Sequence, residues 1–290
     1  MAPTIAQGIV WIASYPRSGN TWTRHFLNNL FRVLEGADQG PADINAVGER
    51  TIWDIPAKRF EKVLGKPIKT ASRADIAKAR AEVQRRIAEE ANGVALVKTH
   101  NALLLDRGHP TVNFAVTAGA LYIVRNPLDV VISFAHHFSI DIDTAIKRMG
   151  QQGVETDVHE EVVYEVYGSW SEHVGSWTRK PHEAILVVRY EDMLAKPAEI
   201  FGSIARHLRI EASSEQIHRA IELSSFSEAK SQEQRAGYRE RPKESKAFFR
   251  EGRAEQWREV LTPAQIQQIV ADHREQMARF GYLPAPMATR

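Results

Sequence analysis

Seven uncharged residues, Gly8 to Ser14 (GIVWIAS), run straight into a six-residue turn and then into TWTRHFLNNLFRVL. The first stretch is short, apolar and partly β-branched, as a strand buried on both faces is. In the last stretch Trp22, Phe26 and Leu30 recur at i, i+4, i+8, with Leu27 and Phe31 beside them, which predicts a helix with one apolar face. Strand, glycine turn and helix start together constrain this chain more than any other feature. Free backbone N–H groups converge at such a helix start, and the helix dipole favours negative charge there. Gly19 lets backbone approach an anion. Ser18, Asn20 and Thr21 add donors, and Arg17 adds a fixed positive fork. The bland alternative is an ordinary βα turn that holds an arginine. The loop is not G-x-x-x-x-G-K-[ST], and that pattern occurs nowhere in the chain, which disfavours an ATP or GTP hydrolase.

The pattern continues along the chain. Gly93–Val97, Ala120–Val124 and Ile185–Val188 read as further strands. Helices are expected over Ser72–Glu90, from Pro127 onward, over 160–178, Pro197–Leu208, Ser214–Leu223 and Pro263–Arg279. Ser72 and Asp75 have capping-box spacing, and Asn126, Pro127 and Asp129 suit the cap, first position and first turn of a helix. Residues 36–70 read as loop with a short helix, 101–118 as irregular, and 227–252 as a polar, basic loop. Strands alternating with helices predict an α/β fold: a central parallel sheet with helices on both faces. The chain has 290 residues, 43% of them hydrophobic, which suits one domain spanning 1–290.

Charge limits the function classes. There are 38 basic and 36 acidic residues, a formal net of +2, so bulk field does not suggest a nucleic-acid binder, and any anion site must be a local concentration of cations. No cysteine is present, which excludes disulfides, iron–sulfur clusters and thiol nucleophiles. No segment reaches the ~20 apolar residues of a membrane span, and the amino terminus lacks the pattern of a secretory signal. A cytoplasmic location is expected. No H-E-x-x-H or other ligand spacing calls for a metal. Adjacent residues on a helix point about 100° apart, so His136 and His137 read as helix residues, one of which can line a pocket.

The loop Y-P-R-S-G-N-T-W, Tyr15 to Trp22, resembles the 5′-phosphosulfate loop Y-P-K-S-G-T-T-W of the sulfotransferases that use 3′-phosphoadenosine 5′-phosphosulfate (PAPS). Arg17 stands where many members have lysine, and Asn20 where they have threonine. R-N-P-L-D-V-V-I-S, Arg125 to Ser133, resembles the family's 3′-phosphate segment, which implies that Arg125 and Ser133 hold that phosphate. F-F-R-E-G-R-A-E-Q-W, from Phe248, resembles R-K-G-x-x-G-x-W, matching at Arg250 and Gly252, with Glu251 in place of lysine and Glu255 in place of glycine. Tyr190 and Phe226 match residues that contact adenine, and Trp22 is another stacking face. Lys98–Thr99–His100 matches K-T-H, whose histidine is the family's catalytic base. The resemblance covers residues 8 to 262 and implies the P-loop-NTPase-like sulfotransferase fold of the cytosolic-type enzymes.

It also implies a reaction: sulfuryl transfer from PAPS to a hydroxyl, or an amine, leaving adenosine 3′,5′-bisphosphate (PAP). Histidine suits proton removal at neutral pH, and Lys98 and Arg17 can stabilise charge on the departing phosphate oxygen. The family works without a metal. A small-molecule acceptor is expected, with residues 36–70, 101–118, 138–160 and 231–247 shaping its pocket and Trp53, Phe134, Phe138 and Tyr238 as candidate apolar walls. The family's K-x-x-x-T-V-x-x-x-E dimer motif is unmatched, since Arg258, Thr262 and Pro263 fall there, and oligomeric state stays open. Two alternatives are a nucleotide-dependent kinase with a degenerate loop, and a non-catalytic binder of 3′-phosphoadenosine nucleotides.

Overall fold

The structure is a computed structural model that describes residues 7–242, 245 and 247–285. The amino-terminal signal reading, and residues 243, 244 and 246 of the 231–247 segment, lie outside the described residues. Five parallel strands make the main sheet: β1 (Gly8–Ser14), β2 (Thr51–Trp53), β3 (Val94–Thr99), β6 (Thr117–Val124) and β7 (Ile185–Arg189), in the order β2-β3-β1-β6-β7. Two short antiparallel strands, β4 (Leu105–Asp106) and β5 (His109–Pro110), form a separate hairpin.

Helices cover both faces, as the alternating pattern predicts. In β1, side chains of Ile9 and Trp11 join one apolar cluster and Ile12 joins the other. The Ile12 side is closed by Phe26, Leu27 and Leu30 of α1 (Asn20–Leu34), Phe201 and Ile204 of α8 (Pro197–His207), and Ile217 of α9 (Ser214–Leu223). The opposite side is closed by α3 (Arg73–Glu90), α4 (Pro127–Phe138), α6 (Trp170–Thr178) and α12 (Pro263–Phe280). Each large apolar side chain sealed this way contributes about 1.5–3 kcal/mol. The Ser72–Asp75 capping box forms, and Asn126 caps α4 through Leu128 N–H with Pro127 at its first position. Thr262 and Gln265 box the start of α12 in the same way.

Several expectations are corrected. Residues 160–169 are not helical. They run extended, pairing by isolated bridges at Pro56↔Val162 and Glu155↔Val166, and α6 starts only at Trp170, where Ser169 and Glu172 form a capping box. Aromatic residues in that stretch are buried by tertiary packing, which imitates an amphipathic pattern. The 36–70 segment holds β2, α2 (Ala57–Leu64) and two short 3-10 turns. Residues 138–160 include α5 (Ile142–Gly150), and 227–252 begins within α10 (Phe226–Ala236), capped by Ser225. A short helix α7 (Tyr190–Ala195) follows β7, and α11 (Trp257–Val260) precedes α12.

Candidate active site

From β1 the chain builds outward to β3 and β2 on one side and to β6 and β7 on the other. Such a switch point opens a crevice at the carboxyl ends of the strands. Each strand delivers a side chain there: β1 leads to Arg17, β2 ends on Trp53, β3 carries Lys98 and leads to His100, β6 leads to Arg125, and β7 to Tyr190. They line one cavity of about 260 Å³.

At the mouth of β1 the backbone turns sharply, with Arg17 at φ 68° and Gly19 at φ 111°. A Cβ on Gly19 would come within 2.8 Å of the Tyr190 ring, so this position needs glycine for space as well as for conformation. Unlike α3, α6, α9 and α12, α1 has no side-chain cap, and its first residues, Asn20 to Trp22, line the cavity. Ser18 Oγ, Trp22 Nε1 and Arg125 Nε are buried without a partner. Unpartnered donors beside an uncapped helix suit a polyanion. Asn20 instead turns its amide inward, donating to Ile12 O at 2.8 Å.

Arg17 spans the cavity. Its Nε donates to Ser133 Oγ (3.0 Å) and one terminal nitrogen to Phe248 O (3.1 Å), and its plane lies 4.2 Å from the Phe248 ring centroid. Arg125 donates to Arg17 O (3.0 Å) and Arg253 O (3.3 Å) and stacks 4.3 Å above Tyr190. Burial, and then the neighbouring Arg125, lower Arg17 to about 10.

His100 is held by three contacts from different elements. Its N–H donates to Glu165 Oε1 (2.8 Å), its carbonyl lies 3.1 Å from His173 Nε2, and its Nδ1 lies 2.8 Å from Ser14 O. The last distance follows from the β1–β3 register, which pairs Ala13 with Thr99. A carbonyl only accepts, so Nδ1 carries the hydrogen and Nε2 keeps its lone pair. Burial, and then Lys98, push this imidazole well below 6.5. Lys98, itself lowered by burial, sits 4.1 Å from the Trp53 ring centroid because β2–β3 pairing sets the two side by side.

The sequence-predicted residues converge. Arg17, Gly19, Asn20, Thr21, Trp22, Lys98, His100, Arg125, Ser133, Tyr190, Phe226, Arg250, Glu251 and Gly252 all line this cavity, and Ser18 lies buried just beneath it. Glu251 is held by Arg250 (2.8 Å) and Arg253 (2.7 Å), which offsets its charge. Of the candidate apolar walls, Trp53 and Phe138 line it; Phe134 packs behind on Tyr15, and Tyr238 on Phe248 and Phe249. No residue of 101–118 reaches it. Tyr167, Glu240 and Phe248 line it as well, and of the two adjacent histidines His137 does so. Burial opposes ionisation of Glu240, but Arg24 and Lys98 outweigh it and hold the carboxyl at about 2. Arg24 is fully buried and grips Glu240 with two bonds (2.8 and 3.0 Å). Among the described residues, no three His, Cys, Asp or Glu side chains gather as a metal site would.

Residues 7–281 match the family described as the sulfotransferase domain. The chain belongs to that family. Over 181 residues it is 30% identical to a 3-beta-hydroxysteroid sulfotransferase of Cavia porcellus, a stretch covering 60% of this chain and 61% of that enzyme. Over 284 residues it is 24% identical to Sulfotransferase 1A1 of Canis lupus familiaris, covering 93% and 83% of the two chains. In fold it is similar to a retinol dehydratase solved with retinol and PAP, at TM-score 0.62 and 20% identity over 93% of this chain and 81% of the other. A mouse sulfotransferase solved with PAP gives TM-score 0.58 and 18% identity over 93% and 84%. These structural likenesses show the P-loop-like sulfotransferase fold, and the kinase alternative falls with the family match. Among the described residues, no helix is long and apolar enough to cross a membrane.

Proposed function

We propose that this sulfotransferase uses PAPS to sulfate a hydroxyl of a small-molecule acceptor, with His100 as the base. When bound, PAPS supplies the sulfuryl group, and its 5′-phosphate oxygen keeps the electron pair of the broken S–O bond. His100 Nε2 takes the acceptor's proton as the acceptor oxygen bonds to sulfur. Its Nδ1–H, fixed on Ser14 O, holds the tautomer and orients the ring. Lys98 and Arg17 stand ready to offset negative charge on the leaving oxygen. Uncapped α1 and the unpartnered Ser18 hydroxyl would take the 5′-phosphate, Arg125, Ser133 and Arg250 the 3′-phosphate, and Trp22, Tyr190 and Phe226 the adenine.

The observation carrying this reading is the His100–Ser14 bond, which leaves a lone pair facing a cavity walled by cations. The named relatives act on a hydroxysteroid and bind retinol, which supports an apolar small-molecule acceptor. Calorimetric titration with PAP, AMP and ATP, without metal, tests the donor. PAP is expected to bind at micromolar or tighter affinity and AMP far more weakly. Arg125→Ala should weaken PAP by about tenfold or more, since a charge-assisted partner of the 3′-phosphate is lost. AMP binding as tightly as PAP, or Arg125→Ala leaving PAP affinity unchanged, sinks the 3′-phosphate assignment.

A further inference from the structure

The cavity contains a second histidine whose ring is committed in the opposite sense to that of His100. His137 Nδ1 lies 3.3 Å from a terminal nitrogen of Arg17. A guanidinium has five donors and no acceptor, so His137 Nδ1 must be the lone-pair nitrogen. In the neutral ring the hydrogen then sits on Nε2. Burial, and then the cations Arg17 and Lys98, lower this imidazole to about 3, so it is neutral at physiological pH. His100 therefore offers an acceptor atom and His137 a donor atom.

The ring of His137 is held in place. Phe138 and Phe248 meet it edge-on, with centroids at 4.8 and 5.8 Å. It lies one helical turn beyond Ser133 on the same face of α4, and Arg17 bonds both residues. With Nδ1 spent on Arg17, Nε2–H is the edge left for a ligand. The neighbouring walls are aromatic: Trp53, Tyr167, Phe138 and Phe248. A half-buried donor among such walls discriminates strongly once an acceptor covers it, because an acceptor that cannot receive its hydrogen leaves it unpaired.

We propose that His137 Nε2–H recognises a second oxygen on the acceptor, and that the enzyme selects apolar or aromatic alcohols and phenols that also carry a carbonyl or ether oxygen. The inference rests on the sulfuryl-transfer reading. A protonated amine has no lone pair for this donor and is disfavoured.

Transfer from PAPS is measured to 3- and 4-hydroxyacetophenone and to the 3- and 4-ethylphenols that match them in shape. The wild type is expected to prefer one of the ketones over its partner by about tenfold in kcat/KM, chiefly through KM. H137F should erase that preference. H137Q, which keeps an N–H near the Nε2 position, should restore part of it. A change confined to folding would alter rates on all four acceptors alike and leave the ratio standing. No preference in the wild type, or the same ratio in both variants, overturns the inference; if one variant does not fold, the wild-type ratio and the other variant decide. Tight PAP binding with indifferent acceptor ratios would leave the donor reading intact, whereas absence of PAP binding removes both.

Discussion

His100 gains its role from a neighbour that no local pattern reveals. A histidine in water exchanges its proton between two nitrogens and gains a charge near pH 6.5. Here Ser14 O fixes one nitrogen as donor, and burial beside Lys98 keeps the ring neutral well below that value. His100→Ala is expected to lower kcat by about 10²–10⁴-fold, while calorimetry finds PAP affinity intact. A variant with near-normal kcat would remove His100 as the base. The pH profile follows from the same contacts. A base must be unprotonated to act, and its lowered pKa keeps it so in mild acid. The acid limb of kcat/KM in the free enzyme therefore falls below pH 6.5. An acid limb above 6.5 would contradict the burial argument.

At the scale of elements, the site is a set of strand ends closed by one strap. Residues 248–257 are clasped from two sides. Glu233 of α10 accepts from Phe248 N–H (2.8 Å) and Phe249 N–H (2.9 Å), and Asp129 of α4 accepts from Glu255 N–H (2.7 Å) and Trp257 N–H (3.1 Å). Gly252 sits in this strap at φ 64°, against the face of Phe226, where a Cβ would stand 2.4 Å from the ring. Gly252→Ala must displace the ring offered to adenine, and PAP affinity should drop about tenfold. Gly36→Ala is the control, since it shares the left-handed backbone (φ 68°) but meets nothing within 4 Å. If both variants bind PAP alike, Phe226 does not shape the nucleotide site.

Local signals carried much of this architecture. The strand–turn–helix at 8–34, the box at Ser72 and the Asn126–Pro127 start are all contained within a few residues, and each was legible. Elements decided by distant partners were not. Three-residue β2 exists because β3 offers an edge, and 160–169 stays extended because its backbone bonds to residues such as Ile55 and Val154. Arg24 and Glu240 lie 216 positions apart and meet only in the folded chain. The cavity residues read from motifs lie at strand ends, on α1, α4 and α10 and in the strap, each inside a short local pattern; Glu240 and Tyr167 arrive by tertiary packing alone.

Across the described residues, burial shifts several histidines in one direction. His25, His173 and His273 are at most 3% exposed. Burial lowers them to about 4, 3 and 4 respectively. His100 and His137 are lowered too. In the unfolded chain these five groups take up protons near pH 6.5, whereas the folded chain refuses them until far lower pH. The unfolded state therefore binds more protons as the solution is acidified, and stability must fall through the window from about pH 6.5 to 4. Asp54 works in the other direction. Its buried carboxyl is raised to about 7, so the folded state holds a proton that the unfolded chain releases above 3.8, and its contribution fades as pH rises from 3.8 to 7. Burial raises Asp129 as well, so two such acids offset at most two of the five histidines and leave the others uncompensated. The urea midpoint is thus expected to be clearly lower at pH 5.0 than at pH 7.5. His273→Gln, whose site packs on Trp170 and Ser171 away from the cavity, should flatten that dependence by up to one proton without touching PAP binding. A midpoint that stays level or rises on acidification would mean that these imidazoles are protonated in the folded state, and the neutral ring assigned to His100 would lose its physical basis.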